Sequence, residues 1–171
     1  MRTSTSAARI AKIGLIASLY AAMTLALAPL SFMAVQFRIS EILMILCFFS
    51  PDCCVALTLG CAAANLFSPM AAFDVPLGSL ATLLAAVCMY KSKNIVIASL
   101  FPAIFNGLIV GAEIYYLFES EFALWVTMLL VAAGEIGVVC FLGIPAARML
   151  AKKQFFIRFF SDKPLMNRVG K

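Results

Sequence analysis

Three stretches of this chain run without one charged side chain: residues 13–37, 53–73 and 94–112. Roughly 18 or more consecutive apolar residues make a helix long enough to cross a bilayer. The chain is 64% hydrophobic over 171 residues, with a mean hydropathy of +1.06. Soluble domains hold about 45–50% apolar residues, so this excess is more than a short water-soluble chain can bury. The strict alternation of a barrel strand is absent, so the spans are read as helices. The expectation is one all-α integral membrane domain over residues 1–150, with a basic, Phe-containing tail over 151–171. Arg9 and Lys12, ahead of an apolar run that ends in Ala26-Leu27-Ala28, imitate a cleavable leader. The run is long for a leader, and all that follows is equally membrane-like, so it is read as the first span.

Proline and charge divide the domain into six transmembrane helices. The first covers residues 8–28 and stops at Pro29. The second, 38–50, is short for a span, which tilt or local thinning can absorb. Ser50-Pro51-Asp52 turns the chain into the third, 53–67. Ser68-Pro69 and Asp74-Val75-Pro76 bracket a loop, because proline disfavours helix in the residue before it. The fourth covers 77–90, and a basic turn at 91–94 leads to the fifth, which extends to 118. An acidic turn at 119–121 precedes the sixth, 122–150, which Pro145 bends. Six crossings put both termini on one side. Of the 13 Lys and Arg, all but Arg38 fall on that side, and positive charge marks the cytoplasm. In the tail, Phe155, Phe156, Phe159 and Phe160 stand beside Lys152, Lys153 and Arg158, a mixture suited to the membrane surface.

The net charge of +5 is spread over connections and tails rather than one face, so it reads as an orientation signal and not as a nucleic-acid site. Six cysteines lie mostly inside apolar runs, with no CxxC pair and no histidine. Metal-ligand spacing is missing, and no cofactor is expected. No Ser or Cys has an evident base partner, and there is no GxxxxGK[ST] phosphate loop. The expectation is therefore a non-enzyme that does not hydrolyse ATP itself. On the first helix, Ala11, Gly14, Ser18 and Ala22, and likewise Ala17 and Ala21, recur at spacings of three or four. Small residues at this spacing let helices approach closely, either within the chain or against a separate subunit.

The polar residues are distributed unevenly in depth. Gln36, Arg38 and Glu41 start the second helix at the outer side. Asn65 ends the third, and Asp74 follows it in the loop. On the fifth, Asn106 falls near mid-membrane with Glu113 above it, seven residues on and on the same face. Glu135 falls near the middle of the sixth. A charged side chain inside the membrane is costly and is a functional candidate by default. A relay would spread such residues over the full depth, whereas a pocket open to the outside gathers them on one side. Four acids against one Arg38 favour a donor-rich or cationic ligand. Tyr20, Phe32, Phe67, Phe73 and Tyr115 are available to stack on a flat ring, as aromatic and amide partners hold a purine-like base.

Several of these residues fall in motifs that resemble the QueT family. They are Gln36-Phe37-Arg38-Ile39-Ser40-Glu41, Leu59-Gly60-Cys61 with Asn65-Leu66, and the run from Asp74-Val75-Pro76 to Leu83. Asn106-Gly107-Leu108-Ile109-Val110-Gly111 with Glu113, and Gly134-Glu135 with Gly143-Ile144-Pro145, complete the likeness, which covers about residues 8–150. The resemblance implies the substrate-binding S component of an energy-coupling factor (ECF) transporter, a multi-pass protein of a bacterial cell membrane. It implies six helices with cytoplasmic termini, an outward-facing pocket, and import of queuosine or its 7-deazaguanine precursors, queuine and preQ1. It implies a transmembrane coupling subunit and two ATPase subunits as partners. It also assigns helix-one docking to the stripe of Gly14, Ala17, Ser18 and Ala21, with Ala17-x-x-x-Ala21 as the fitting position. Read with the resemblance, Glu135, Asp74 and Glu113 pair with the N–H edge of the base and with an aminomethyl cation. Asn65 and Asn106 read the remaining edge, and Gln36, Arg38 and Glu41 close the lip. The alternatives are an S component for another vitamin-like heterocycle, and a membrane enzyme or non-transporting scaffold.

Overall fold

The structure, a computed structural model, describes residues 6–28, 38–117 and 122–160. Among the described residues every regular element is helical. In chain order these are α1 (Ser6–Ala26), α2 (Ile39–Phe48), α3 (Pro51–Asn65), α4 (Ala71–Lys91), α5 (Ile95–Leu117), α6 (Leu124–Leu150) and α7 (Gln154–Phe160). The first six occupy the places of the six expected spans. Four of them, α1, α4, α5 and α6, are long and apolar enough to cross a membrane. The chain is a helical membrane protein.

The short second helix meets its length problem by winding. All ten residues of α2 are 3₁₀ helix, which rises about 2.0 Å per residue against about 1.5 Å for an α-helix. Ten residues then reach roughly 20 Å instead of roughly 15 Å. The helix sits at the centre of the bundle and touches α1, α3, α4, α5 and α6. Met44, Ile45, Leu46, Cys47 and Phe48 are buried along it. Opposite α2, residues Ile136–Gly143 of α6 are wound as π-helix just before Ile144-Pro145. Pro145 has no N–H to return to the preceding turn, so the winding loosens ahead of it.

Two boundaries differ from expectation. Pro51 opens α3 at its first turn with Asp52 beside it, where a missing N–H costs nothing and a carboxylate meets the helix dipole. And α4 begins at Ala71, not at 77, so Asp74 lies in its first turn and Pro76 inside the helix. Pro76, the sixth residue of α4, leaves the Ala72 carbonyl without its usual donor four residues on, and the helix continues through it. Asp74 is consequently a buried helical residue rather than a loop residue.

Close helix approach rests on glycine. A Cβ on Gly111 would lie 2.6 Å from Met128 Cα, and one on Gly107 would lie 3.0 Å from Ala132 Cβ. This Gly-x-x-x-Gly pair presses α5 against α6. Similarly, a Cβ on Gly60 would lie 2.7 Å from the Ala17 carbonyl oxygen, where α3 meets α1. That contact corrects the phase expected for α1. Ala17 packs inward, while Ala11, Gly14, Ser18 and Ala22 face out and Ala21 is half-buried. The two small-residue rows stand on different sides of one helix. Because the Ala17 carbonyl cannot yield without moving α1, Gly60→Val should cost about 1–3 kcal/mol of overpacking. A thermal melt in detergent would read this as a fall of several degrees; a midpoint within about 1 °C of the parent would remove this account of the contact.

At the terminal end, Asp52 receives Arg9 Nε at 2.7 Å and stands 3.8 Å from Lys12 Nζ, which also donates to Ser50 Oγ at 3.3 Å. The α7 helix folds back over this end. Phe156 is buried edge-on against Phe49, with centroids 5.3 Å apart, and Lys12 Nζ lies 5.8 Å from the rings of both Phe159 and Phe160. Only part of the segment, with Phe155 exposed, is free to meet a membrane surface. The core around Cys47, Cys53, Leu57 and Met89 fills this half with apolar side chains and buried cysteines.

Candidate functional site

At the opposite, distal end of the bundle the interior turns polar. Arg38, immediately before α2, is 8% exposed, and Glu41 in the first turn of α2 is 1% exposed. The α2 start therefore inserts a cation and a carboxylate among the ends of α3, α4, α5 and the middle of α6. The Arg38 guanidinium donates to Asn65 Oδ1 at 2.8 Å and approaches Cys61 Sγ at 3.6 Å. Asn65 Nδ2 in turn donates to the Asp74 carbonyl at 2.7 Å. This bond explains Gly78: a Cβ there would lie 2.6 Å from Asn65 Nδ2. Ser68 donates its hydroxyl to Asp74 Oδ2.

The other side of the band is built by α5 and α6. Their glycine-driven approach lets Asn106 Nδ2 donate to Glu135 Oε1 at 2.7 Å. Glu113, one polar step nearer the distal end, faces the Asp74 carboxyl. Arg38 lies within electrostatic reach of Glu41, Glu113 and Glu135, and Glu135 within reach of Glu41. The two halves are thus one cluster, with Arg38 and Glu41 between them. Four acids, Glu41, Asp74, Glu113 and Glu135, are all at most 7% exposed. Several acceptors in it are idle: Glu41 Oε2, both oxygens of Glu113, and Glu135 Oε2 are buried without a hydrogen-bond partner among the described residues. Buried polar groups are normally satisfied, so a set of idle acceptors in one place calls for donors from outside the chain.

The expected site residues separate clearly. Arg38, Glu41, Asn65, Asp74, Asn106, Glu113 and Glu135 are brought together. Tyr20 joins them in a different role: fully buried, its hydroxyl donates to Glu41 Oε1 instead of its ring lying open for stacking. Phe67 and Phe73, 70% and 46% exposed, lie outside the buried cluster: Phe67 stands in the turn after α3, and Phe73 in the first turn of α4, about 100° round the helix from Asp74. Tyr115 is half-buried and packs edge-on to Tyr116, with centroids 5.1 Å apart. Gln36 and Phe32 lie outside the described residues. Ser68, Ser40 and Thr24 belong to the network without having been singled out; Thr24 Oγ1 and Ser40 Oγ are 2.7 Å apart. Thr24 was legible in principle, one helical turn beyond Tyr20. Tyr20 and Thr24 together tie α1 to the site, on the face opposite Gly14 and Ser18.

Among the described residues no group of three or more Cys, Asp or Glu is placed to hold a metal ion. The arrangement offers hydrogen-bond acceptors and negative charge to a ligand, with amides from Asn65 and Asn106 beside them. The model of one protein family, described as QueT transporter, matches residues 10–152. No curated protein and no solved structure matches the chain.

Proposed function

The chain belongs to the QueT transporter family, and from that premise we propose that it is the substrate-binding S component of an ECF-type importer. Its ligand is queuosine or a 7-deazaguanine precursor, taken from the outside. The observation that carries this reading is the cluster of idle, buried carboxylate oxygens beside two amides at the distal end. A guanine-like base has a donor-rich edge, and carboxylates and amides complement such an edge. The lysines and arginines at the terminal end orient that end to the cytoplasm, so the site faces outward.

The family is one of transporters, and the chain carries no phosphate loop; the energy comes from partners, a transmembrane coupling subunit and two ATPases. The outward row of Ala11, Gly14, Ser18 and Ala22 on α1 is where the coupling subunit docks. Nothing lies within 4 Å of a Cβ placed on Gly14, and Leu15 and Leu19 flank the row, 62% and 48% exposed. Such a row suits a second membrane helix.

The test is equilibrium binding by the purified full chain in lipid nanodiscs. Saturable binding of at least one 7-deazaguanine is expected. No binding up to ~1 mM, equivalent to about −4 kcal/mol, would overturn the ligand assignment, and a parallel screen of other vitamin-like heterocycles would then identify the cargo.

A further inference from the structure

The ten 3₁₀ residues of α2 make a long run, since such windings seldom exceed about three or four residues. Their composition does not demand it. Ile39–Phe48 contains neither glycine nor proline, and its Leu, Met and Glu are good α-helix formers. The hydrogen bonds of a 3₁₀ helix are also poorer in geometry than those of an α-helix. Something outside α2 therefore holds it long, and the neighbouring α1 supplies a ruler. Lys12 Nζ donates to Ser50 Oγ at 3.3 Å just past the end of α2, and Thr24 Oγ1 lies 2.7 Å from Ser40 Oγ at its start. Lys12 and Thr24 stand twelve residues apart on an α-helix, about 18 Å. The ten steps from Ser40 to Ser50 would cover about 15 Å as α-helix and about 20 Å as 3₁₀ helix. The longer winding is the one that brings both ends to their partners.

The ruler is itself fixed, because α1 packs on α3 through Ala17 against Gly60 and through Arg9 on Asp52. Beside the Thr24 tie, the buried Tyr20 hydroxyl donates to Glu41 Oε1. Beyond these ties the winding slackens. The Leu46 carbonyl accepts the Phe49 N–H at 3.0 Å and also the Ser50 N–H at 3.2 Å, the four-residue spacing of an α-turn. Arg38 reaches Asn65 on a long side chain, so it pins the backbone less than the short Ser40 does.

We infer that Tyr20 and Thr24 are positioning residues: from α1 they hold the start of α2 extended, and this carries Arg38 and Glu41 into the polar cluster. Neither has to touch the ligand. Each residue of α2 that rewinds from 3₁₀ to α draws the start back by about 0.5 Å and turns it by about 20°. Rewinding all ten retracts it by about 5 Å and through roughly half a turn. The cluster then loses Arg38 and Glu41 together. That the cluster is the cargo site rests on the functional reading above; the winding does not.

The experiment measures the length of α2 in the full chain in nanodiscs. Nitroxides on p-acetylphenylalanine replace Ile39 and the exposed Lys91 at the terminal end of α4, and pulsed electron double resonance reads their separation without ligand. Tyr20→Phe with Thr24→Val cuts both ties while keeping the ring and the branched shape. The mean distance should fall by about 2–5 Å. Glu41→Gln, whose amide oxygen still accepts the Tyr20 hydroxyl, should keep the parent distance. A second label pair at positions 91 and 116, on α4 and α5, reports the fold and should not move. Where the double variant disturbs that pair, Ser40→Ala with Glu41→Leu cuts the same ties from α2 and is judged by the same threshold. A change below about 2 Å overturns the inference, as does a shortening in Glu41→Gln equal to that in the double variant. The double variant should also bind queuine about tenfold more weakly than the parent, and an affinity within about threefold overturns the positioning role. A parent with no affinity for queuine counts against the functional reading alone, and the distances still decide the winding.

Discussion

Glu135→Ala should bind no deazaguanine at concentrations that saturate the parent, a loss of at least about a hundredfold. Two losses combine. The ligand forfeits a charge-assisted hydrogen bond to the idle Oε2, worth about 1.5–3 kcal/mol. Asn106 Nδ2 forfeits the oxygen it holds at 2.7 Å, and once a bound ligand excludes the water that would replace it, the stranded donor costs the complex about 1–3 kcal/mol more. The sum, about 2.5–6 kcal/mol, is about two to four decades in affinity. Folding should suffer far less, because alanine removes a carboxylate from a cluster that already holds a surplus of them. Size-exclusion profiles like the parent's, together with flat calorimetric traces, are the expected pair of results. An affinity within about threefold of the parent would place the ligand somewhere other than between α5 and α6.

What the sequence disclosed follows from what it encodes in one dimension. Charge-free runs mark α1, α3 and α5, because a span's length and greasiness are properties of the run itself. The seven-residue step from Asn106 to Glu113 places both on one helix face, and both are buried. Other features were invisible because lipid-facing and core-facing positions are equally apolar. Without a polar face, periodicity cannot tell a 3.6-residue winding from the 3₁₀ winding of α2 or the π winding in α6. The same absence of contrast hid which row of small residues on α1 faces outward: Ala17 and Gly14 look alike until Gly60 is found against Ala17. At Pro76 the helix runs through a residue that more often marks a boundary, since α4 starts at Ala71. Long-range pairs such as Tyr20 with Glu41, or Phe156 with Phe49, leave no local signal. Phe67 and Phe73 are neighbours in sequence of Asn65 and Asp74 but not in direction: one stands in the turn after α3, the other a step of about 100° round α4 from Asp74.

Arg38→Met should be the most destabilising single change in the distal half. The guanidinium sits 8% exposed among four buried acids. It hydrogen-bonds Asn65 at 2.8 Å and acts electrostatically on Glu41, Glu113 and Glu135. Methionine fills similar volume without charge, so packing is nearly conserved and the electrostatic effect is isolated. Removing one member of a buried charge set costs about 3–5 kcal/mol, since the remaining charges lose their compensation. That is a large share of a total stability of about 5–15 kcal/mol. Arg38→Lys should fall between: it keeps the charge but loses the planar fork that reaches Asn65 and Cys61 together. The decisive variant is the double one. Arg38→Met with Glu41→Gln removes a cation and an adjacent anion at once, so it should recover much of the loss, with a coupling energy of about 1–3 kcal/mol in a double-mutant cycle. Thermal melts of the four proteins in one detergent give that number directly. If Arg38→Met melts like the parent and Glu41→Gln rescues nothing, the acids of this cluster are not held by Arg38, and the charge balance described for the site is wrong.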